Sequence, residues 1–387
     1  MAGTASFDAA TAELAGKALG TFWTLFFAAS VVADLDLLPG VSARLRVFAT
    51  RGKQADAEPS SPSALAGRAA SKWWVPHAWF AHFYVVGIAC NAFVLSHARF
   101  AQPVSAEHAA ATLASCLFQA HVTRRFLETA FVARHHEGAR MHIVGYLVGV
   151  FYYVAAPMTL ASPETTRAVC ATVRVALAKA LAEAARAAAK VGGDKLVARA
   201  AARAFAFARA LVESLRRGTP SMTSAVRSSL STARALARAL VSPGSVVRVS
   251  RVAAGAGAFA LGSAKQARCH RILARLRETP RAPRTTRTTR TTEKQERPPR
   301  GGVGVSHYAV PRGDWFEVAS SPHYLAECVL YAGLALVAGA RASERLAPML
   351  LAIVANLALA ARRTHAWYLE TFPEYPKNRW AMVPGVL

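Results

Sequence analysis

Cysteine is sparse in this chain and unpatterned: Cys90, Cys116, Cys170, Cys269 and Cys328 show no CxxC spacing. That leaves neither a disulfide framework nor a zinc site to build on, and no metal is expected. A dinucleotide fingerprint is missing too. Gly255-Ala256-Gly257 followed by Gly262 does not have GxGxxG spacing and opens no βαβ unit, which excludes a Rossmann site. The basic run 281–302, with its repeated Arg-Thr-Thr, lacks the interleaved aromatics on which bases stack, so it reads as a solvated loop and nucleic acid is not expected as a partner. The first 17 residues lack a basic n-region and a small-residue cleavage site, so the first apolar helix is expected to remain as an anchor. Acidic residues are also few, 22 Asp and Glu against 47 Lys and Arg, a formal net charge of +25.

Against those absences, 53% of the 387 residues are hydrophobic, more than the roughly 45–50% of soluble domains. Charge and apolar content must therefore be segregated along the chain. Apolar runs fall at 19–38, 75–95, 108–122, 141–161, 324–340 and 346–361, each near the roughly 20 residues that cross a bilayer core. A seventh, 246–266, is interrupted by Arg248, Arg251 and Lys265, but its small residues suit close helix packing. The fold class expected is all-α, a multi-spanning helical bundle of about six to seven transmembrane helices. Lys and Arg cluster after the spans 19–38, 108–122, 246–266 and 346–361, which by the positive-inside rule makes those loops cytosolic and the amino terminus external. Between the spans lies a low-complexity Ala/Arg-rich insertion, 163–247, made of strong helix formers such as Ala180-Leu181-Ala182-Glu183-Ala184-Ala185-Arg186. It reads either as a basic amphipathic segment on anionic headgroups or as an insertion without a role. The organisation expected is 1–162 as substrate-side helices, 163–247 as the insertion and 248–387 as a C-terminal cofactor-binding unit.

Ionisable and polar groups are costly in a membrane and mark functional sites. Arg277, His323, Glu327, Asn356, His365, Tyr368 and Arg379 all lie within or just beyond apolar spans. Arginines at a cytosolic mouth suit a dinucleotide's phosphates through bidentate charge-assisted bonds. Taken singly, each has a blander reading as a snorkelling, interfacial or packing residue.

Several separated stretches share an order with a known family. These are Val75-Pro76-His77-Ala78-Trp79-Phe80-Ala81-His82-Phe83-Tyr84, Arg124-Arg125-Phe126-Leu127-Glu128-Thr129, Met141-His142-Ile143-Val144 with Tyr152-Tyr153-Val154, and Cys269-His270-Arg271-Ile272-Leu273-Ala274-Arg275-Leu276-Arg277. At the C-terminal end come Gly313-Asp314-Trp315-Phe316-Glu317, Pro322-His323-Tyr324-Leu325-Ala326-Glu327 and Tyr375-Pro376-Lys377-Asn378-Arg379. In this the chain resembles the steroid 5α-reductases, and within them the polyprenol reductase branch. The resemblance implies about seven helices, C-terminal helices and loops that enclose NADPH, and an endoplasmic reticulum membrane location. Carried onto this sequence it gives Arg277, Glu327, Tyr368 and Arg379 as cofactor residues, joined by His323, Asn356 and His365. Gln266 and His270 stand where steroid-reducing members have Asn and Asp. Ala309 and Ala360 replace basic residues of the family pattern.

On the substrate side, the resemblance places His82-Phe83 and His121 where steroid-reducing members have a Gln-Glu pair and a Tyr, and loss of the acid argues against a steroid. His82 and His121, with Glu128 next, become the candidate catalytic residues. Hydride is a nucleophile and does not add to an isolated alkene, so the α-isoprene double bond must be conjugated to a carbonyl, as in a polyprenyl aldehyde. The expected function is NADPH-dependent saturation of a polyprenyl lipid supplying dolichol for N-glycosylation, with membrane lipids as surroundings. The rivals are an enone or enoyl-thioester reductase and a non-catalytic basic scaffold.

Overall fold

The computed structural model describes residues 2–49, 73–99, 105–133, 139–190, 245–278 and 309–387. It is a bundle of α-helices, and the sole sheet among the described residues is a two-stranded ribbon. In chain order the helices are α1 (Ala2–Leu35), α2 (Pro39–Ala49), α3 (Phe80–Ala98), α4 (Ala106–Leu127), α5 (Ile143–Leu160), α6 (Pro163–Lys190), α7 (Ser245–Glu278), α8 (Pro322–Ala338) and α9 (Ala340–Thr371). Strands β1 (Trp74–Pro76) and β2 (Arg140–His142) pair antiparallel, Trp74 opposite His142, and tie the start of α3 to that of α5.

A helix forms the bulk of each apolar run of the sequence, the interrupted seventh included, although 75–95 and 141–161 open in β1 and β2. Among the described residues, four segments have the length and hydropathy of a membrane span, Ala10–Leu35, His77–Ala98, Ile143–Leu160 and Glu344–Thr371, along with the shorter apolar helix Pro322–Ala338. Local chemistry sets the boundaries. Ser105 caps α4 by accepting from the His108 amide at 3.0 Å, Ser162 caps α6 by accepting from the Thr165 amide at 3.1 Å, and Pro322 sits in the first turn of α8. Gly339 separates α8 from α9 with φ 101°, a conformation that suits glycine, and a Cβ there would meet the Arg251 guanidinium.

The α7–α8 seam matters most for the site. A Cβ on Gly255 would lie 2.7 Å from the Gly333 carbonyl, one on Gly262 2.6 Å from the Ala326 carbonyl, and one on Gly333 2.6 Å from the Gly255 carbonyl. The two backbones touch, as small residues permit in a membrane. Gln266 and His270 follow Gly262 at four-residue steps, so the same contact carries both onto the buried face of α7. α8 in turn packs on α4 and α9, α9 on α1, and α3 on α4 and α5.

Two parts differ from the sequence expectation. The helix α2 is an extra amphipathic element, held to α1 where Arg46 Nε donates to the Ala33 carbonyl at 2.7 Å. The start of the Ala/Arg-rich segment is not a loose appendage: α6 packs against α1, α3 and α4, with Val169, Ala176 and Ala180 buried and Thr172 Oγ1 2.9 Å from His97 Nε2. The remainder, 191–244, lies outside the described residues.

Candidate active site

Arg124, Arg125 and Glu128 stand at the C-terminal end of α4, where the helix widens into a π turn over Glu128–Val132. Spacings of four and three put both guanidinium groups on the Glu128 carboxylate. Arg124 pairs with Glu128 Oε1, and Arg125 Nη1 lies 2.6 Å from Oε2. From α7, His270 Nδ1 lies 2.8 Å from that same Oε2, and Gln266 Oε1 accepts from Arg124 Nη2. Gln266 Nε2 then donates to Glu327 Oε2 of α8 at 3.1 Å, while Arg125 Nη2 donates to the Tyr84 hydroxyl of α3 at 2.8 Å. Four helices thus meet in one buried polar network. Two arginines and two carboxylates balance in charge, which is how a low-dielectric interior keeps ions.

The geometry also settles proton positions. Burial pushes the Glu128 carboxyl up, but its hydrogen bond to His270 and the charges of Arg125 and Arg124 outweigh that and hold it ionised below the usual carboxylate range. Burial, reinforced by Arg125, pushes the His270 imidazole down to about 4, so it is neutral at pH 7. Its Nδ1 cannot accept from Arg125 Nη1, 2.7 Å away, while donating to Glu128. A proton on Nδ1 lets both groups donate to the one carboxylate oxygen.

His121, one turn before Arg125, is 1% exposed. Arg124 Nη2 lies 3.3 Å from its Nδ1, and a guanidinium only donates, so Nδ1 accepts and the imidazole proton sits on Nε2. Nε2 is buried with no hydrogen-bond partner in the described residues. Beside it stand Tyr331, ring centroids 5.8 Å apart, and Phe118 at 6.1 Å. The Tyr331 hydroxyl accepts from that of Tyr152 at 2.7 Å, and Tyr84 and Tyr153 meet edge to face at 5.4 Å.

A second constellation forms the mouth. Gly313 and Asp314 adopt φ 88° and 52°, turning the chain so that Asp314 reaches α7, 2.7 Å from Lys265 Nζ and 2.9 Å from Arg268 Nε. The Lys265 hydrogen bond holds the Asp314 carboxyl below its ordinary range. Glu317 accepts from the Gly313 amide and pairs at 3.2 Å with Arg379 Nη2, whose Nη1 donates to the Pro311 carbonyl at 2.9 Å. The backbone of 318–321 runs beside Trp380 and Ala381, with Trp380 N donating to the Val318 carbonyl at 2.9 Å and Ser321 N to the Ala381 carbonyl at 3.0 Å. His365 Nδ1 is 2.6 Å from Ser320 Oγ, which also accepts from the Tyr375 hydroxyl at 2.7 Å, and Tyr368 stacks on Tyr375 at 5.0 Å.

Of the residues singled out from the sequence, His121, Glu128, Gln266, His270 and Glu327 come together in the network. His323, at the start of α8, lies beside it with its ring 5.8 Å from that of His270. His365, Tyr368 and Arg379 belong to the mouth. His82 does not join either group: it is exposed and turns to the Tyr146 hydroxyl at 3.1 Å. Asn356 is half-buried along α9. Arg277 is in the last turn of α7, with its side chain outside the described residues. Arg379 stands apart from the open phosphate clamp expected of it, because its side chain is fully enclosed and committed to Glu317 and Pro311. Sequence reasoning missed Tyr84, and treated Arg124 and Arg125 as loop charges and a motif match; their spacing to Glu128 was the available signal.

An all-α membrane protein with a charge-balanced polar site where four helices meet is the class these observations define. Residues 297–387 match the family model for 3-oxo-5-alpha-steroid 4-dehydrogenase. The chain is 30% identical over 382 residues to polyprenal reductase 1 of Oryza sativa subsp. indica, covering 88% of each. It is 29% identical over 388 residues to polyprenal reductase 1 of Arabidopsis thaliana, covering 95% of each, and 25% identical over 378 residues to polyprenal reductase of Caenorhabditis elegans, covering 91% of this chain and 90% of that one. The chain belongs to the steroid 5α-reductase family, in its polyprenal reductase branch.

Proposed function

We propose that this protein is a multi-pass endoplasmic reticulum enzyme that uses NADPH to saturate the α-isoprene double bond of a polyprenal, on the way to the dolichol used in N-glycosylation. The observation that carries the reading is the His121 Nε2 proton, a buried donor with no acceptor among the described residues. Such a group costs about 1–3 kcal/mol, and a substrate carbonyl oxygen would satisfy it. Charge builds on that oxygen during reduction of an enal, and a fixed donor in a dry site stabilises it. Arg124 holds the tautomer, and Gln266 and Glu128 hold Arg124.

The donor set fits a dinucleotide. Lys265, Arg268 and Arg312 line the Asp314–Glu317 turn, three cations against its two acids, which suits an anionic polyphosphate, while the enclosed Arg379 holds Glu317 in place. Gln266, His270, His323 and Glu327 offer the amide, imidazole and carboxylate groups that orient a polar ring; Tyr368 on α9 and Arg277 at the end of α7 join them from the family resemblance, and Asn356 and His365 as polar groups of the last span. Bound NADPH supplies the hydride for the β carbon of the enal. A steroid fits less well. Phe83, where steroid-reducing members of the family have an acid, is 4% exposed and packed on Phe80, Tyr146 and Tyr153.

The test is product analysis with purified protein, NADPH and either lipid in liposomes. Polyprenal should be saturated directly, and polyprenol only when an alcohol-oxidising enzyme is added. Equal turnover of polyprenol without that enzyme would overturn the aldehyde reading.

A further inference from the structure

At the C-terminal end of α9 a cleft of about 500 Å³ opens between that helix and the final loop. Arg362, Ala366 and Leu369 form one wall and Lys377, Trp380 and Leu387 the other. Its level relative to a bilayer follows from the sequence. The span Glu344–Thr371 ends here, and Trp367, Tyr368, Phe372 and Tyr375 gather in mutual ring contact at that end, the composition of an interfacial aromatic belt. Leu369 and Trp380, each 43% exposed, are apolar surface left open at that level.

The charges are specific. Arg362 Nη1 pairs at 2.8 Å with Asp34 of α1, and Arg379, deeper in, is taken by Glu317 at 3.2 Å. Lys377 is exposed and has no ion-pair partner among the described residues, so its ammonium is open to an anion in the cleft. Arg362 keeps unused N–H donors on its guanidinium, because a single one of its nitrogens meets Asp34.

We propose that this cleft is a binding site for one phospholipid, whose phosphodiester sits on Arg362 and Lys377 and whose acyl chain lies along Leu369 and Trp380. A phosphodiester carries one negative charge, which the exposed Lys377 ammonium and the unused Arg362 N–H donors can meet. An apolar wall at headgroup level excludes small hydrophilic anions and favours a tethered chain. The lipid bridges α9 to the loop that carries Arg379, and so braces the mouth from outside.

The test is native mass spectrometry of protein extracted from mixed liposomes of phosphatidylcholine and phosphatidylserine, then stripped with detergent. Wild type should retain one phospholipid, and Arg362→Gln with Lys377→Gln should weaken its retention about ten-fold or more, as loss of charge-assisted contacts implies. Arg362→Lys with Lys377→Arg should keep it, which separates charge from misfolding. NADPH binding, read by its fluorescence, should be unchanged in the glutamine variant, so a failure here is distinct from a failure of the reductase reading. Retention equal in wild type and the glutamine variant would overturn the proposal. So would displacement of the lipid by NADPH or by millimolar inorganic phosphate, which would assign the cleft to a soluble anion.

Discussion

Two glycines of one helix, five residues apart, should respond oppositely to the same substitution. Gly262 of α7 faces α8, and a methyl group there would lie 2.6 Å from the Ala326 carbonyl oxygen and 2.8 Å from Leu330 N. Neither neighbour is a flexible side chain, so α7 has to move outward by roughly the shortfall from a normal contact, about 1 Å. That shift lengthens the Gln266–Glu327 hydrogen bond, one turn further along, from 3.1 Å toward breaking. Overpacking of this kind costs about 1–3 kcal/mol. At about 2–4 °C per kcal/mol this is a fall of roughly 2–12 °C in the unfolding midpoint, with reductase activity lost in parallel. Gly257 is exposed with nothing within 4 Å of its would-be Cβ. Gly257→Ala therefore gains helix propensity alone and should stabilise by about 0.4–1 kcal/mol. Thermal unfolding of both variants in one detergent reads the comparison. If Gly262→Ala were as stable as Gly257→Ala, the close α7–α8 seam, and the placement of Gln266 and His270 that depends on it, would be refuted.

Other expectations bear on the site and its frame. Glu128→Gln leaves Arg124 and Arg125 without their shared anion and should destabilise by about 3–5 kcal/mol, read as a lowered midpoint; an unchanged midpoint would mean that the network is not a unit. Because burial lowers the His270 imidazole from its ordinary 6.5 to about 4, the unfolded chain binds that proton first, and His270's contribution to stability should be lost as pH falls from about 6.5 toward 4. The gap between the midpoints of wild type and His270→Gln should narrow as pH falls across that range, and parallel curves would contradict the assignment. Deleting 191–244 should leave activity in place. Extending the deletion back to Arg167 removes Val169 and Val173 from their packing with Val94 and Phe93 and should abolish folding, judged by size-exclusion profile and turnover.

The apolar runs made the helices legible, because the length and composition of a span are properties of a contiguous segment. The interrupted run 246–266 was legible in part: its glycines announced close packing, but its arginines hid the fact that one helix continues to Glu278 and delivers His270. Side-chain direction was not legible. His82 and Tyr84 are two residues apart on α3, yet His82 faces Tyr146 while Tyr84 meets Arg125, because helix rotation is set by neighbours distant in sequence. Arg379 could be read as a charge at a mouth, but not as a guanidinium closed in by Glu317 and Pro311, since those partners stand 62 and 68 residues earlier, on the far side of α8 and α9 in the chain. The alanine-rich composition of α6 masked a packed helix, because alanine buries as readily as it fills a low-complexity tract.

The most direct test of the account is the rate of polyprenal saturation in a single turnover, compared between wild type and His121→Phe at saturating NADPH. If the Nε2 proton holds the substrate oxygen as charge develops, the variant should be slower by about 10²–10³-fold while its NADPH affinity and its unfolding midpoint stay close to wild type. A variant that reduces polyprenal at the wild-type rate would contradict the assignment of the oxyanion contact to His121.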